Sequence, residues 1–233
     1  INKMNHLNLV NANLNKLIHI LYSKKISIIL TCCVNVDHNI GCLFQINTQE
    51  RINTYIKAIN QWIDKTNFNI IVVESSGYDF PELKQKQNRR FQIITFDAQK
   101  NIECNKLRFK KAKGQWEIFA IQYAYQNSKI LQKSEFIIKI TGRYYIPNFE
   151  KYLIEKNIMK YNCLRQYNKN CCEVLGCKQK LFNDIFNMFI EEGHIENVWR
   201  KRIDKYINNV LQCDRLHIEP TQQGGLNVIR TSL

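Results

Sequence analysis

Short aliphatic runs alternate along the chain with longer segments in which apolar residues recur every three or four positions. The run "KISIILTCCV" predicts a buried strand ending near Thr31 to Val34. "TQERINTYIKAINQWIDKT" follows with Ile52, Tyr55, Ile56, Ile59, Trp62 and Ile63 on one helical face and Thr48 as its N-cap. "FNIIVVESSGYDF" predicts a second strand running into Glu74-Ser75-Ser76-Gly77, and "FQIITFDA" a third ending at Asp97. "KAKGQWEIFAIQYAYQNSKIL" opens at Lys113-Gly114 as a helix presenting Trp116, Phe119, Ala120, Tyr123 and Ala124, and "EFIIKITGRY" is the fourth strand. Such alternation predicts an α/β fold with a mainly parallel, Rossmann-like central sheet flanked by helices.

The later text is less regular. "CLRQY" is read as a strand, "KQKLFNDIFNMFIEEG" and "HIENVWRKRIDKYINNVL" as helices, and "RLHIEP" as a short strand or extended turn. "CCEVLGC" reads as a loop, and "TQQGGLNVIRTSL" as a glycine turn forming a lid or a tail. No repeat or long linker interrupts the chain, which predicts a single domain over 26–233 behind an N-terminal amphipathic helix or extension over 1–25.

Composition narrows the partners only slightly. Thirty-four Lys and Arg against twenty Asp and Glu give a formal charge of +14, favouring nucleic acid, a membrane surface or a phosphorylated ligand. The basic residues are scattered, and no RNP-like strand, zinc finger or arginine-rich tract points to nucleic acid. Abundant Asn, Ile and Lys also fit an AT-rich genome, which raises the lysine count without selection for a partner. Nine dispersed cysteines read as reduced structural thiols. Cys163, Cys171, Cys172 and Cys177 lie close together but lack paired C-x-x-C knuckles, so no metal site is expected. No apolar run approaches the roughly 20 residues of a membrane span. The expected location is cytoplasmic, with the basic N-terminal helix either touching a membrane peripherally or packing on the domain.

In open parallel sheets, ligands sit at the carboxyl ends of the strands. Thr31, Glu74 with Ser75, Asp97 and the Thr141-Gly142-Arg143 turn all follow strands, so one crevice can gather them. No GxGxxG or GxxxxGK[ST] fingerprint is present. Lys113-Gly114 at a helix start is either an anion site or a solvated turn. Period-two alternation puts Lys139, Thr141 and Arg143 on one face.

The succession "RINTYIKAINQWI", "IIVVESSGYD", "KGQWE" and "FIIKITGRYYI" resembles glycosyltransferases of the GT-A fold, the nucleotide-diphospho-sugar transferase superfamily. The likeness is greatest to small sugar-transferase domains of large DNA viruses and bacterial surface-polysaccharide clusters, and covers about residues 26 to 150. It implies a nucleotide-diphosphate sugar as co-substrate, a donor half over 26–146 and an acceptor half over 147–233. Thr31 and Val34 would flank the base and ribose. Glu74 with Ser75 would hydrogen-bond them, unless Glu74 instead pairs with a lysine. Lys113, Gly114 and Glu117 would lie beside the phosphates and sugar, with Asp97 at the sugar or ribose. His217 would face the phosphates, with Glu219 beside it.

Many members carry an Asp-x-Asp metal motif where this chain reads Thr141-Gly142-Arg143. A guanidinium there can pair with the diphosphate directly, with Lys139 as a second charge. The resemblance therefore implies a transfer needing no metal, or only weakly Mn or Mg. An inverting transfer needs a base for the acceptor hydroxyl. Glu196 is the first choice and Glu192 the second, in a stretch that also holds Glu191. The acceptor would be a glycan, a lipid-linked sugar or a protein. The alternatives are a basic polyanion-binding protein and another nucleotide-sugar-processing enzyme.

Overall fold

The computed structural model describes residues 2–36, 44–107, 114–188 and 194–233, and seven strands form its central sheet. β1 (Ile26–Cys32), β2 (Asn69–Glu74), β3 (Phe91–Thr95) and β4 (Phe136–Thr141) run parallel. β5 (Cys163–Arg165), β6 (Val174–Lys178) and β7 (Val210–Gln212) complete the order β3-β2-β1-β4-β6-β5-β7, in which β6 alone is antiparallel to its neighbours. The helices are α1 (Asn2–Ser23), α2 (Thr48–Lys65), α3 (Ile102–Lys106), α4 (Gly114–Asn127), α5 (Lys129–Gln132), α6 (Phe149–Glu155), α7 (Phe182–Ile185) and α8 (Ile195–Asp204). A hairpin of β8 (His217–Gln222) and β9 (Ile229–Ser232) follows. This is the α/β architecture that the alternating pattern predicts.

Both sheet faces are covered, which is why β1, β2 and β4 read as nearly continuous apolar runs. Ile28, Leu30, Val72, Ile138 and Ile140 pack with Ile52, Tyr55, Ile59 and Trp62 of α2. Ile29, Ile71, Val73 and Ile137 face Ile118, Ile121 and Ala124 of α4 and Trp199 of α8. Each such large side chain contributes about 1.5–3 kcal/mol on burial. The Trp62 indole N–H also donates to the Tyr144 carbonyl at 2.9 Å, tying α2 to the chain leaving β4. On α4 the buried stripe is Ile118, Ala120, Ile121 and Ala124, whereas Trp116, Phe119 and Tyr123 pack at its margin. That rotates the helix from the expected face.

Several local expectations change. The α2 N-cap is Asn47, whose side chain accepts from Glu50 N at 3.0 Å, in place of Thr48. "VLGCK" is β6 where a loop was expected, and Gly176 is needed there because a Cβ would stand 2.6 Å from the Ile137 carbonyl. Of the helix expected over "KQKLFNDIFNMFIEEG", the described part forms a 3₁₀ turn and α7, since Lys178 is still paired in the sheet, and residues 189–193 lie outside the described residues. One turn suffices to place Phe182, Ile185 and Phe186 in the α4–α8 cluster. The next helix ends at Asp204, because Val210–Gln212 pairs with β5 at the sheet edge. The C-terminal "tail" is strand β9.

α1 docks at its end through Tyr22, whose hydroxyl donates to Asn157 Oδ1 at 3.1 Å and accepts from Met159 N at 3.2 Å. Leu14, Leu17, Ile18 and Leu21 line its outer side and are about half exposed. Among the described residues no helix is long and apolar enough to cross a membrane. Their cysteines are all free thiols.

Candidate active site

Strand order reverses beside β1, since β2 and β3 lie to one side and β4 to the other. The carboxyl ends of β1 and β4 are therefore the switch point where open α/β sheets leave a crevice. Two polar regions and a pair of arginines lie along this edge.

The first is a cleft of ≈ 250 Å³ over the ends of β1, β2 and β3, whose lining includes Asn35, Arg51, Ser75, Ser76, Asp97 and Trp116. Glu74 builds its floor. Fully buried, it accepts from Val34 N at 2.8 Å and the Ser76 hydroxyl at 2.5 Å on one oxygen, and from Ser76 N and Tyr78 N, each at 2.9 Å, on the other. Burial raises its pKa above the ordinary carboxylate value, against the lowering effect of these four bonds. Among the described residues all the carboxylate's contacts are internal, so Glu74 shapes the loops after β1 and β2 and pairs with no lysine there. Val34 likewise points into the core. Ser75 bonds the Cys32 carbonyl from both its amide, at 3.1 Å, and its hydroxyl, at 3.2 Å. Gly77, at φ +84°, allows the turn that brings Ser76 against Asp97. Asp97 is held low, because bonds from Lys100 and two backbone N–H groups outweigh the effect of its burial.

The second region lies under β1 and β4 on the α4 face. Glu117 Oε1 receives the Lys139 ammonium at 2.6 Å and the Thr31 hydroxyl at 2.9 Å. Lys139 is 1% exposed, bonds the Cys172 carbonyl at 2.7 Å and sits 5.4 Å above the Trp199 ring. Burial alone would lower its pKa, but Glu117, Cys172 and Glu173 raise it by more. Glu196 stands in the first turn of α8, one turn before the Trp199 that lies under the Lys139 ammonium. Glu173 pairs with Arg230 at 3.3 Å through one oxygen, and its other oxygen is buried without a hydrogen bond. Thr31, Glu117, Lys139 and Thr141 thus come together as one polar cluster, with Glu196 and Glu173 at its rim.

Arg143 departs from the expected alternation. β4 ends at Thr141, and Gly142 turns the chain so closely that a Cβ would lie 2.8 Å from the Thr31 carbonyl. Arg143 therefore crosses to the α2 face. There its guanidinium donates to Gln45 Oε1 at 3.3 Å and to the Tyr55 hydroxyl at 3.4 Å. Arg51 reaches the same hydroxyl at 3.1 Å, and both guanidinium carbons lie 5.7 Å from the Tyr55 ring. Arg51 is 3% and Arg143 9% exposed, yet among the described residues neither makes an ion pair. Gly224 of the β8–β9 hairpin lies against the Arg143 guanidinium where a Cβ would overlap it, and its carbonyl accepts from Phe44 N at 2.8 Å.

Other expected residues fall elsewhere. Gly114 packs against Ile195, and His217 is exposed at the start of β8 opposite Ser232. Glu219 pairs with Lys57 at 2.8 Å and accepts from Gln61 at 2.5 Å, on the α2 side. Lys113, Glu191 and Glu192 lie outside the described residues. Arg51, Glu173 and Arg230 were missed by the sequence reading. A signal existed for Arg51, a charge at the i, i−4 position to Tyr55 within the buried stripe of α2; none existed for the other two.

A separate groove of ≈ 620 Å³ between α1, α6 and the end of α2 holds none of these groups except Glu219. No family model and no curated protein matches the chain. Among solved structures it is similar to a protein from Desulfovibrio desulfuricans assigned as a nucleotide-diphospho-sugar transferase, at 13% identity and TM-score 0.48, over 81% of this chain and 79% of that one. Residues 1–349 of S. aureus TarS align at 12% identity and TM-score 0.47, over 82% of this chain and 59% of that one. The 4-diphosphocytidyl-2C-methyl-D-erythritol synthase of Anaerococcus prevotii aligns at 9% identity and TM-score 0.41, over 81% and 89% of the two chains. What the chain itself displays is a mainly parallel α/β sheet with its polar residues gathered along one carboxyl edge.

Proposed function

We propose that the chain is a glycosyltransferase that moves a hexosyl or pentosyl group from a nucleotide-diphosphate donor to an acceptor. The observation that carries this reading is the pair of buried guanidinia, Arg51 and Arg143, which meet at Tyr55 beside the cleft and have no carboxylate partner among the described residues, Arg51 being held by the Cys33 and Gln45 carbonyls. Two desolvated like charges are costly unless an anion joins them, and such arrangements are concentrated at functional sites. A diphosphate supplies that anion. The nucleoside then lies in the cleft, with its hydroxyl groups toward Ser75 and Asp97 and its base near Trp116.

On this reading Arg143 takes the part that paired carboxylates and a divalent ion take in Asp-x-Asp enzymes, stabilising the diphosphate as the glycosidic bond breaks. Lys139, neutralised by Glu117, aligns that carboxylate toward the sugar. Glu196, in the first turn of α8, accepts the acceptor hydroxyl's proton in an inverting transfer.

The test is a thermal-shift screen against nucleoside diphosphates and nucleotide sugars, in EDTA and in manganese. One nucleotide at about 100 times its Kd should stabilise the native state by about 2.7 kcal/mol in EDTA. Arg143→Ala should abolish that shift and Arg143→Lys should retain part of it. A shift seen only with manganese would sink the metal-free account. No shift with any nucleotide would sink the transferase.

A further inference from the structure

The sheet edge continues past the crevice into a third region that the donor leaves unused. Over the ends of β5 and β7 lies a groove of ≈ 650 Å³, within the size range of ligand sites. Its lining includes Arg165, Lys169, Arg215 and Arg230, and no Asp or Glu side chain among the described residues. Arg165 is the built element. It is 8% exposed at the end of β5, is held by Asp204 at 2.6 Å through one nitrogen, and has a buried Nε without a hydrogen-bond partner. Arg215 is oriented by a bond from its Nε to the Ser232 hydroxyl at 3.0 Å, while Lys169 is exposed. Tyr167 stands beside them, 59% exposed, among the amides of Asn168, Asn170 and Gln212.

The groove is continuous with the crevice. Cys171 lines it and adjoins Cys172, whose carbonyl holds Lys139. Arg230 spans the two regions, since it lines the groove and pairs with Glu173, whose carbonyl accepts from Thr141 N at 2.9 Å. Asn170, in the groove's lining, accepts from Arg200 of α8 at 2.5 Å, so a molecule in the groove lies beside the helix that carries Glu196. Cations recognise an anion, while an exposed phenol flanked by side-chain amides provides the stacking surface and hydrogen bonds that a sugar chain uses.

We propose that this groove seats the acceptor, and that the acceptor is an anionic glycan bearing phosphodiester or carboxylate groups. The proposal rests on the transferase reading and specifies its second substrate. Nucleic acid shares the charge but would use several exposed aromatic platforms, whereas the groove offers one.

The test is titration of the purified chain with length-matched oligo(glycerol phosphate), oligogalacturonate, neutral dextran and single-stranded DNA. At least one anionic glycan should bind about tenfold more tightly than dextran, and the Lys169→Glu, Arg215→Glu double variant should remove about that advantage. Both substituted residues are exposed, so folding should survive, and nucleoside diphosphate binding should be unchanged. The first two arms separate phosphodiester from carboxylate recognition. Equal binding of dextran, or an affinity indifferent to the charge reversal, would overturn the proposal. So would DNA binding more tightly than either glycan through the same residues. If the anionic oligomers bind in the groove but no nucleotide binds anywhere, the transferase reading and with it the acceptor role fail, while the anion site itself stands.

Discussion

The Lys139–Glu117 pair offers the most demanding test of the crevice. Lys139→Met keeps most of the side-chain volume but removes the ammonium from Glu117 and leaves the Cys172 carbonyl without its 2.7 Å donor. Breaking a buried pair from one side costs about 3–5 kcal/mol, because the remaining charge is uncompensated. Glu117 is 26% exposed and can draw on water, so a loss of about 3 kcal/mol, the lower end of that range, is expected. Adding Glu117→Gln removes the orphaned charge, so the double variant should be more stable than the sum of the single losses implies, by about 1–3 kcal/mol. Urea unfolding at neutral pH reads all four corners of the cycle. The sign of the pH dependence follows from the raised lysine pKa. The contribution is fully present below the ordinary value of 10.5 and is lost only as pH rises through the higher folded value. The wild-type advantage should therefore be flat from about pH 6 to 9 and decline beyond. A Lys139→Met loss below about 1 kcal/mol, or simple additivity, would refute the claim that this pair holds β4 to α4.

Two further perturbations probe the walls of the same edge. Glu74→Gln replaces an acceptor by a donor among N–H groups and should cost about 1–3 kcal/mol by denaturant titration. Because burial raises the wild-type pKa, the native state favours the protonated form, and wild-type stability relative to the variant should fall as pH rises from 4.5 through the folded value; a rise would contradict the assignment. Gly142→Ala puts a Cβ 2.8 Å from the Thr31 carbonyl and against Cys32, so it should destabilise by about 1–3 kcal/mol in the same assay, and an unchanged midpoint would show that the turn relaxes freely.

The fold was legible where the chain obeys one period at a time. β1, β2 and β4 are buried on both sides, so their aliphatic runs signal strands regardless of partner, and α2 carries a complete apolar stripe. Legibility failed in the second half for a definite reason. β5 and β7 have three residues each and β6 contains a central glycine, so none is long enough to display a period of two. Their identity comes from pairing: Gly176 is strand because Ile137 and Ile138 lie across from it, which no local window contains. The Thr31, Glu117, Lys139 and Thr141 cluster was partly visible because parallel strands deliver their ends to one edge. Arg143 shows the limit of that rule. Alternation continued through a glycine gave the wrong face, since Gly142 ends the strand and the next side chain follows the turn.

That change of face alters the argument about charge. On the Lys139 side, Arg143 would have had Glu117 within reach and would have become one more member of a neutralised network. On the α2 side it meets Arg51, and the two share a phenol, which as a neutral hydroxyl accepts hydrogen bonds but cancels neither charge. Tyr55 cannot resolve this by ionising: burial raises its pKa, against the lowering influence of Arg143 and Arg51. Among the described residues there are therefore two cationic sites separated by the same strand end, one internally neutralised by a carboxylate and one lacking a carboxylate partner. Only the second can gain a full ion-pair stabilisation from an arriving anion. A diphosphate should bind on the Arg51–Arg143 side even though Lys139 lies beneath the neighbouring face.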